Sequence, residues 1–145
     1  MANALYPKWK EGLLQGTANC LLNGSGVTGV YAALVTSTYT YNAADQFYDT
    51  GGANDVVDAL CGAAAPVEIG ATKSYTNGVF DGADVTFTAV PSGTANAVVI
   101  FVKNAGAQTT WRLVAYLDTN ITNLPVTGNG GNITITWNAS GIIGL

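Results

Sequence analysis

The side chains able to do acid–base or ligand chemistry here are nine carboxylates, Glu11, Asp45, Asp49, Asp55, Asp58, Glu68, Asp81, Asp84 and Asp118, and two thiols, Cys20 and Cys61; histidine is absent. Without an imidazole, the usual nucleophile–base pairs lose the group that takes the proton, which leaves only paired carboxylates as candidate acids and bases. Nothing in their spacing singles out a glycosidase-type pair. Asp81 and Asp84 flank Gly82, and aspartates at a turn ordinarily bond nearby backbone N–H groups. A calcium site joined by Asp118 is the sharper alternative, although the full ligand spacing of an EF-hand loop is missing. The cysteines form no CxxC pair, and with no histidine four zinc ligands cannot be assembled. They read as small half-buried hydrophobes rather than as a disulfide. The sequence thus predicts no catalytic residue, no metal and no cofactor, and function is expected in contact rather than in bond chemistry.

Composition points the same way. At 145 residues the chain is long enough for one domain, 1–145, with its own core. Only 10% of residues are charged while 48% are apolar, against roughly 25% charged in an average soluble domain. Such a surface is poorly protected against association, so neighbours in an assembly are expected to cover much of it. The net charge is −4, and the five basic residues, Lys8, Lys10, Lys73, Lys103 and Arg112, are scattered. They form no cationic stripe, so nucleic acid is not the expected partner. No apolar run reaches membrane-span length, and Pro7, Trp9 and Glu11 interrupt the start where a secretory signal needs a continuous apolar stretch; neither a membrane nor export is expected. Acceptor patterns for glycosylation, "NGS", "NIT" and "NAS", are attributed to chance in a chain rich in Asn and Thr.

The elements that must position these residues begin with "ALYPKWKEGLLQG", residues 4–16. Pro7 suits the first helical position and Gly16 the residue after the last turn, which predicts a helix over about 7–15. Leu5, Trp9 and Leu13, with Leu14 beside them, form one apolar stripe, and Lys8, Lys10, Glu11 and Gln15 fall mostly off it. So short a helix does not hold alone in water and needs a surface to lie on, either the chain's own sheet or another subunit. Residues 1–16 are therefore read as a helical arm.

After it, "VTGVYAALVT" (27–36) predicts a first long strand with Tyr31, Ala33 and Val35 on one face. Residues 37–64 lack a period and read as a long excursion, with a helical turn or two over 53–63, begun by Asn54 or Asp55 and ended by Gly62. Tyr39, Tyr41, Phe47 and Tyr48 crowd this stretch, as interface anchors, as a sugar-stacking platform together with Trp137, or as packing of the excursion on its own domain. Beyond Pro66 the strands are dense. Asn77–Gly78 between Tyr75 and Phe80 predicts a two-residue hairpin turn. "ADVTFTAV" and "NITITWN" alternate, "AVVIFVK" is apolar throughout as a strand covered on both faces would be, and "TWRLVAYLD" places Trp111, Leu113, Ala115 and Leu117 on one face. The apolar close "GIIGL" predicts a docked last strand. About seven to nine short strands with Gly, Asn and Pro punctuation predict an all-β fold, an antiparallel sandwich or jelly roll with a short N-terminal helix.

The opening "MANALYPKWKEGLLQG", then "VYAALVTSTYTYNAADQFYD", "YTNGVFDGADVTFTAV" and the close "RLVAYLDTNITNLPVTGNGGNITITWNASGIIGL" together resemble a family of small virion structural proteins of tailed bacteriophages, over nearly the whole chain. The resemblance implies a capsid cement or decoration protein on the capsid exterior, made in the host cytoplasm, and brings no catalytic residues. Its implied partners are the major capsid protein and copies of itself in a dimer or trimer. Leu5, Trp9, Leu13, Leu14, Tyr39, Tyr41, Phe47 and Tyr48 are the expected contact residues. A tail or fibre component, or a virion-displayed carbohydrate-binding module, is the alternative.

Overall fold

The computed structural model describes residues 3–70 and 72–145. About 30% of the chain is strand and 16% helical, and all strand pairs are antiparallel. In chain order the elements are β1 (Ala4–Leu5), α1 (Pro7–Leu14), β2 (Val30–Val35), β3 (Val67–Glu68), β4 (Val79–Phe80), β5 (Val85–Phe87), β6 (Thr94–Ala95), β7 (Ala97–Val102), β8 (Arg112–Leu117), β9 (Val126–Thr127), β10 (Ile133–Ile135) and β11 (Ile143–Gly144). One five-stranded sheet runs β1-β8-β7-β2-β3, and three two-stranded ladders pair β10 with β5, β11 with β4 and β6 with β9.

The sheet is organised around β7. Its sequence AVVIFV has no polar side to turn to water, and all six residues are buried, as expected for a strand covered on both faces. Residues paired across strands share a face, so Val98, Ile100 and Val102 lie with Ala32, Leu34, Ala115, Leu117 and Arg112, while Val99 and Phe101 lie with Tyr31, Ala33, Leu113 and Tyr116. The strict alternation expected for 110–118 fails because Ile100 pairs with Ala115 but Phe101 with Leu113, which leaves Val114 as the extra residue of a bulge. A bulge reverses the side assignment beyond it. It carries Leu113 to the Tyr116 face and Arg112 to the Ala115 face.

The outer edge of β8 is occupied along its length. Tyr48 N–H donates to the Trp111 carbonyl at 2.9 Å, Leu113 N–H to that of Gln46 at 3.0 Å, and Tyr6 N–H to the bulge carbonyl of Val114 at 3.0 Å. β1 pairs at Ala115 and Tyr116, and Asn3 Oδ1 then accepts from the N–H groups of Asp118 and Thr119. The start of the chain is thus woven into the sheet edge. Trp9 and Tyr6 are both 0% exposed, and Trp9 Nε1 donates to the Cys20 carbonyl at 2.8 Å. Of the two surfaces expected for the helix, this chain's own core takes Trp9, because a full indole gains more from an adjoining core than from solvent, while Leu14 at the end of the stripe is 90% exposed.

The excursion 37–64 has little regular structure, with single 3-10 turns at Val57–Ala59 and Cys61–Ala63. Asp55 does not cap them. Its carboxylate accepts from Thr50 Oγ1 at 2.7 Å and from Gly52 N–H at 2.8 Å, which closes the preceding loop. The hairpin follows expectation: Asn77 and Gly78 have φ of 55° and 76°, Val79 N–H donates to the Thr76 carbonyl, and Ser74 and Asp81 exchange bonds of 3.0 and 3.1 Å. β11 docks on its far strand. In β5 and β10 the expected alternation holds, with Val85, Phe87, Ile133 and Ile135 buried, and with Thr86 and Thr134 exposed and hydrogen-bonded at 2.9 Å.

Two outcomes are expected from this packing. Trp9→Ala should cost about 3–5 kcal/mol in chemical denaturation, in proportion to the cavity left by a buried indole; a loss under about 1 kcal/mol would return α1 to the status of an arm. Gly78→Val should cost about 1–2 kcal/mol through strain at positive φ, read from the shift of the urea midpoint at unchanged slope.

Candidate functional site

The contact residues expected from sequence separate into two groups. Tyr39 and Tyr48 are 2% and 1% exposed and face this chain's own sheet. Tyr48 lies 4.5 Å from the Phe101 ring and 5.3 Å from Trp111, and Tyr39 and Tyr41 lie 6.1 and 5.9 Å from Tyr116. Lys103 Nζ sits 5.0 Å from the centres of both Tyr31 and Trp111, a cation–π arrangement that closes the end of this layer. The role of Tyr39 and Tyr48 as exposed anchors is therefore corrected: they cover the Phe101–Tyr116 face of the sheet, because an apolar ring gains from burial against an apolar strand face. Trp137 is also buried, its indole donating to the Ala83 carbonyl at 2.8 Å. Tyr41 and Phe47 are half-buried; Tyr41 donates to the Leu5 carbonyl at 3.3 Å, and Phe47 stacks on the Arg112 guanidinium at 5.3 Å.

Within the aromatic layer runs a chain of hydroxyls. Tyr39 donates to Asp45 Oδ2 at 3.2 Å, and Tyr6 donates to the Tyr39 hydroxyl at 2.6 Å. Burial pushes both phenols well above their ordinary range, with Tyr39 adding to the effect on Tyr6. Burial also raises the Asp45 carboxyl; the Tyr39 bond opposes this and the charge of Asp55 adds to it. The chain ties the N-terminal segment to the excursion.

The second group gathers around α1. Leu14 is 90% exposed, and Leu5 and Leu13 are half-buried. Beside α1 lies an open groove of about 490 Å³, lined by Trp9 and Leu13, by Leu21 and Leu22 after the helix, by Tyr75 and Phe80 of the hairpin, and by Ile143 and Leu145 of the last strand. No charged side chain lines it. Leu21 is 63% and Leu145 77% exposed. Sequence reasoning missed Leu21, Leu22, Tyr75 and Leu145 as contributors; the available signal was the apolar pair Leu21–Leu22 inside an otherwise loop-like, polar stretch.

Several of the carboxylates accept hydrogen bonds from backbone N–H groups. Asp84 accepts from Trp137 N–H at 3.0 Å, Asp49 from Gly51 N–H at 2.8 Å and Glu68 from Gly26 N–H at 2.8 Å. Among the described residues no three His, Cys, Asp or Glu side chains come together as a metal site. Cys20 and Cys61 form no disulfide and are buried, and burial raises both thiols, which weakens them as nucleophiles. Compared with protein-family models, with curated proteins and with solved structures, the chain matches none.

A raised Asp45 pKa fixes a sign. Protonation favours the folded chain, so the contribution of Asp45 is fully present below the ordinary carboxylate range near 4 and is lost as pH rises through its higher folded value. Asp45→Asn, which keeps an acceptor for Tyr39, should raise the melting temperature at pH 7, and the difference should vanish at pH 3. An equal shift at both pH values would show that charge is not the cause.

Proposed function

We propose that this chain is a structural protein of a tailed-bacteriophage virion, a capsid cement or decoration protein that attaches to the major capsid protein and to further copies of itself, as a dimer or trimer, on the capsid exterior. The finer architecture that goes with this reading is an antiparallel β sandwich, with the short ladders forming a second layer over the main sheet. The observation that carries the proposal is the groove beside α1, lined by no charged side chain and by the exposed Leu21 and Leu145, on a chain in which only 10% of residues are charged. Apolar surface of that kind marks a contact site, and a shell protein repeats one modest contact many times by symmetry. The reading puts attachment at the groove rather than at Tyr39 and Tyr48, since both of those rings are buried. Sequence resemblance supplies the virion; the groove supplies the manner of attachment.

Intact particles should carry the chain in numbers comparable to the major shell protein, and particles lacking it should rupture at lower temperature. Binding that exists only on the assembled lattice stabilises it by about 2.7 kcal/mol per site at a hundredfold excess over Kd. Leu13→Asp and Leu21→Asp should each weaken attachment about tenfold or more, since burying one leucine is worth roughly 1.5–3 kcal/mol, while leaving the far-ultraviolet circular dichroism unchanged. Raising salt should release little protein, because screening acts on charges. Complete release by moderate salt would remove the apolar contact, and a copy number of only a few per particle would place the chain in the tail.

A further inference from the structure

On the flank of α1 away from the apolar groove lies a polar recess of about 320 Å³, lined by Lys8, Glu11, Gly12, Gln15, Thr17, Gln46 and Arg112. Arg112 is only 8% exposed. The bulge at Val114 carries it to this side of the sheet, and Nη1 comes close beside Gly12, within 3.7 Å of where a Cβ would stand. The Gln46 amide, oriented with its oxygen inward, accepts from Nη1 at 2.9 Å and Nη2 at 3.3 Å, and the Phe47 ring covers one side of the guanidinium. Nε is buried with no hydrogen-bond partner. Among the described residues Lys8 and Glu11 form a salt bridge at 2.8 Å, and no carboxylate pairs with Arg112.

An unpaired buried cation is expensive, and an amide dipole, a ring face and the negative end of a short helix each compensate only part of a full charge. The charges lining the recess are Lys8, Glu11 and Arg112. The first two neutralise each other, so the recess keeps one net positive charge on a chain of net charge −4. Gln15, Thr17 and Gln46 add neutral donors and acceptors around it. We propose that this recess is a binding site for a carboxylate monoanion, held by the Arg112 guanidinium and steered by Lys8. A carboxylate fits the planar fork of a guanidinium, and it would take the Nη1–Nη2 edge in place of the Gln46 amide, since Nε is closed off. A dianion such as phosphate would leave excess negative charge beside Glu11. The inference does not rest on the virion reading.

The test uses the isolated full chain labelled with ¹⁵N. Sodium acetate is titrated against sodium chloride at matched ionic strength, and the Arg112 Nε–H and Gln46 side-chain amide resonances are followed. A saturable shift with acetate but not with chloride is expected. Glu11→Gln removes the competing carboxylate and should tighten acetate about two- to fivefold, the range for one partly exposed charge. Arg112→Gln should abolish the response, and the wild-type titration stands without it if that variant fails to fold. A doubly blocked glycine–aspartate–glycine peptide distinguishes the source: a shift with both probes supports a protein side chain, and a shift with acetate alone supports a free small acid. No saturable shift with acetate, or tighter binding of inorganic phosphate than of acetate, would overturn the proposal.

Discussion

Everything in this fold answers to one strand with no polar face. Since β7 is apolar at every position, the sheet it centres must be covered twice, and the sequence has too little regular structure to do so with two ordinary layers. One face receives the tyrosines of the irregular 37–64 segment. On the other, the region of α1 and Cys20 lies against the Arg112 side, where a Cβ on Gly12 would come within 2.5 Å of Cys20 Sγ. The edge of β8, which would otherwise be a template for another strand, is closed in turn by Gln46–Tyr48, Tyr6 and β1. The edge of β8 is thus spent internally.

The aromatic layer shows how a chain with few charges still fixes one arrangement. A hydroxyl chain from Tyr6 through Tyr39 to Asp45 gives direction to surfaces that apolar packing alone would leave free to slide. The arrangement has a cost, since Asp45 is held where burial disfavours its charge. Ring contacts between Tyr48, Phe101 and Trp111, the last two nearly parallel at 8°, anchor the other end of the segment. An excursion lacking strands or long helices is thereby attached along its length.

α1 divides two kinds of surface. Its period places Trp9 and Leu13 toward the groove, and Lys8, Glu11, Gly12 and Gln15 toward the recess. Gly12 matters at this divide because only a residue without a side chain lets the helix come down on Cys20 and Arg112. One flank is suited to apolar contact, and the other holds a single unbalanced positive charge. Both depend on the same eight-residue helix lying against the sheet.

Local order was legible in the sequence where one physical rule acted alone. The Pro7 start of the helix, the continuous apolar run of β7, the alternation of β5 and β10 and the Asn77–Gly78 turn all follow from residues within a few positions of each other. The inward direction of Tyr39 and Tyr48 does not, because an aromatic ring is equally suited to an interface and to a core, and only the bare face of a strand some fifty or more positions away decides between them. The bulge at Val114 likewise comes from fitting β8 between β7 and the N-terminal segment, and no residue in "RLVAYL" announces it. With the bulge goes the placement of Arg112, and with Arg112 the recess. The sequence by itself determined the strands, the helix and the scarcity of charge; tertiary packing decided which apolar residues were left over for contact, since exposure is a property of what the rest of the chain covers.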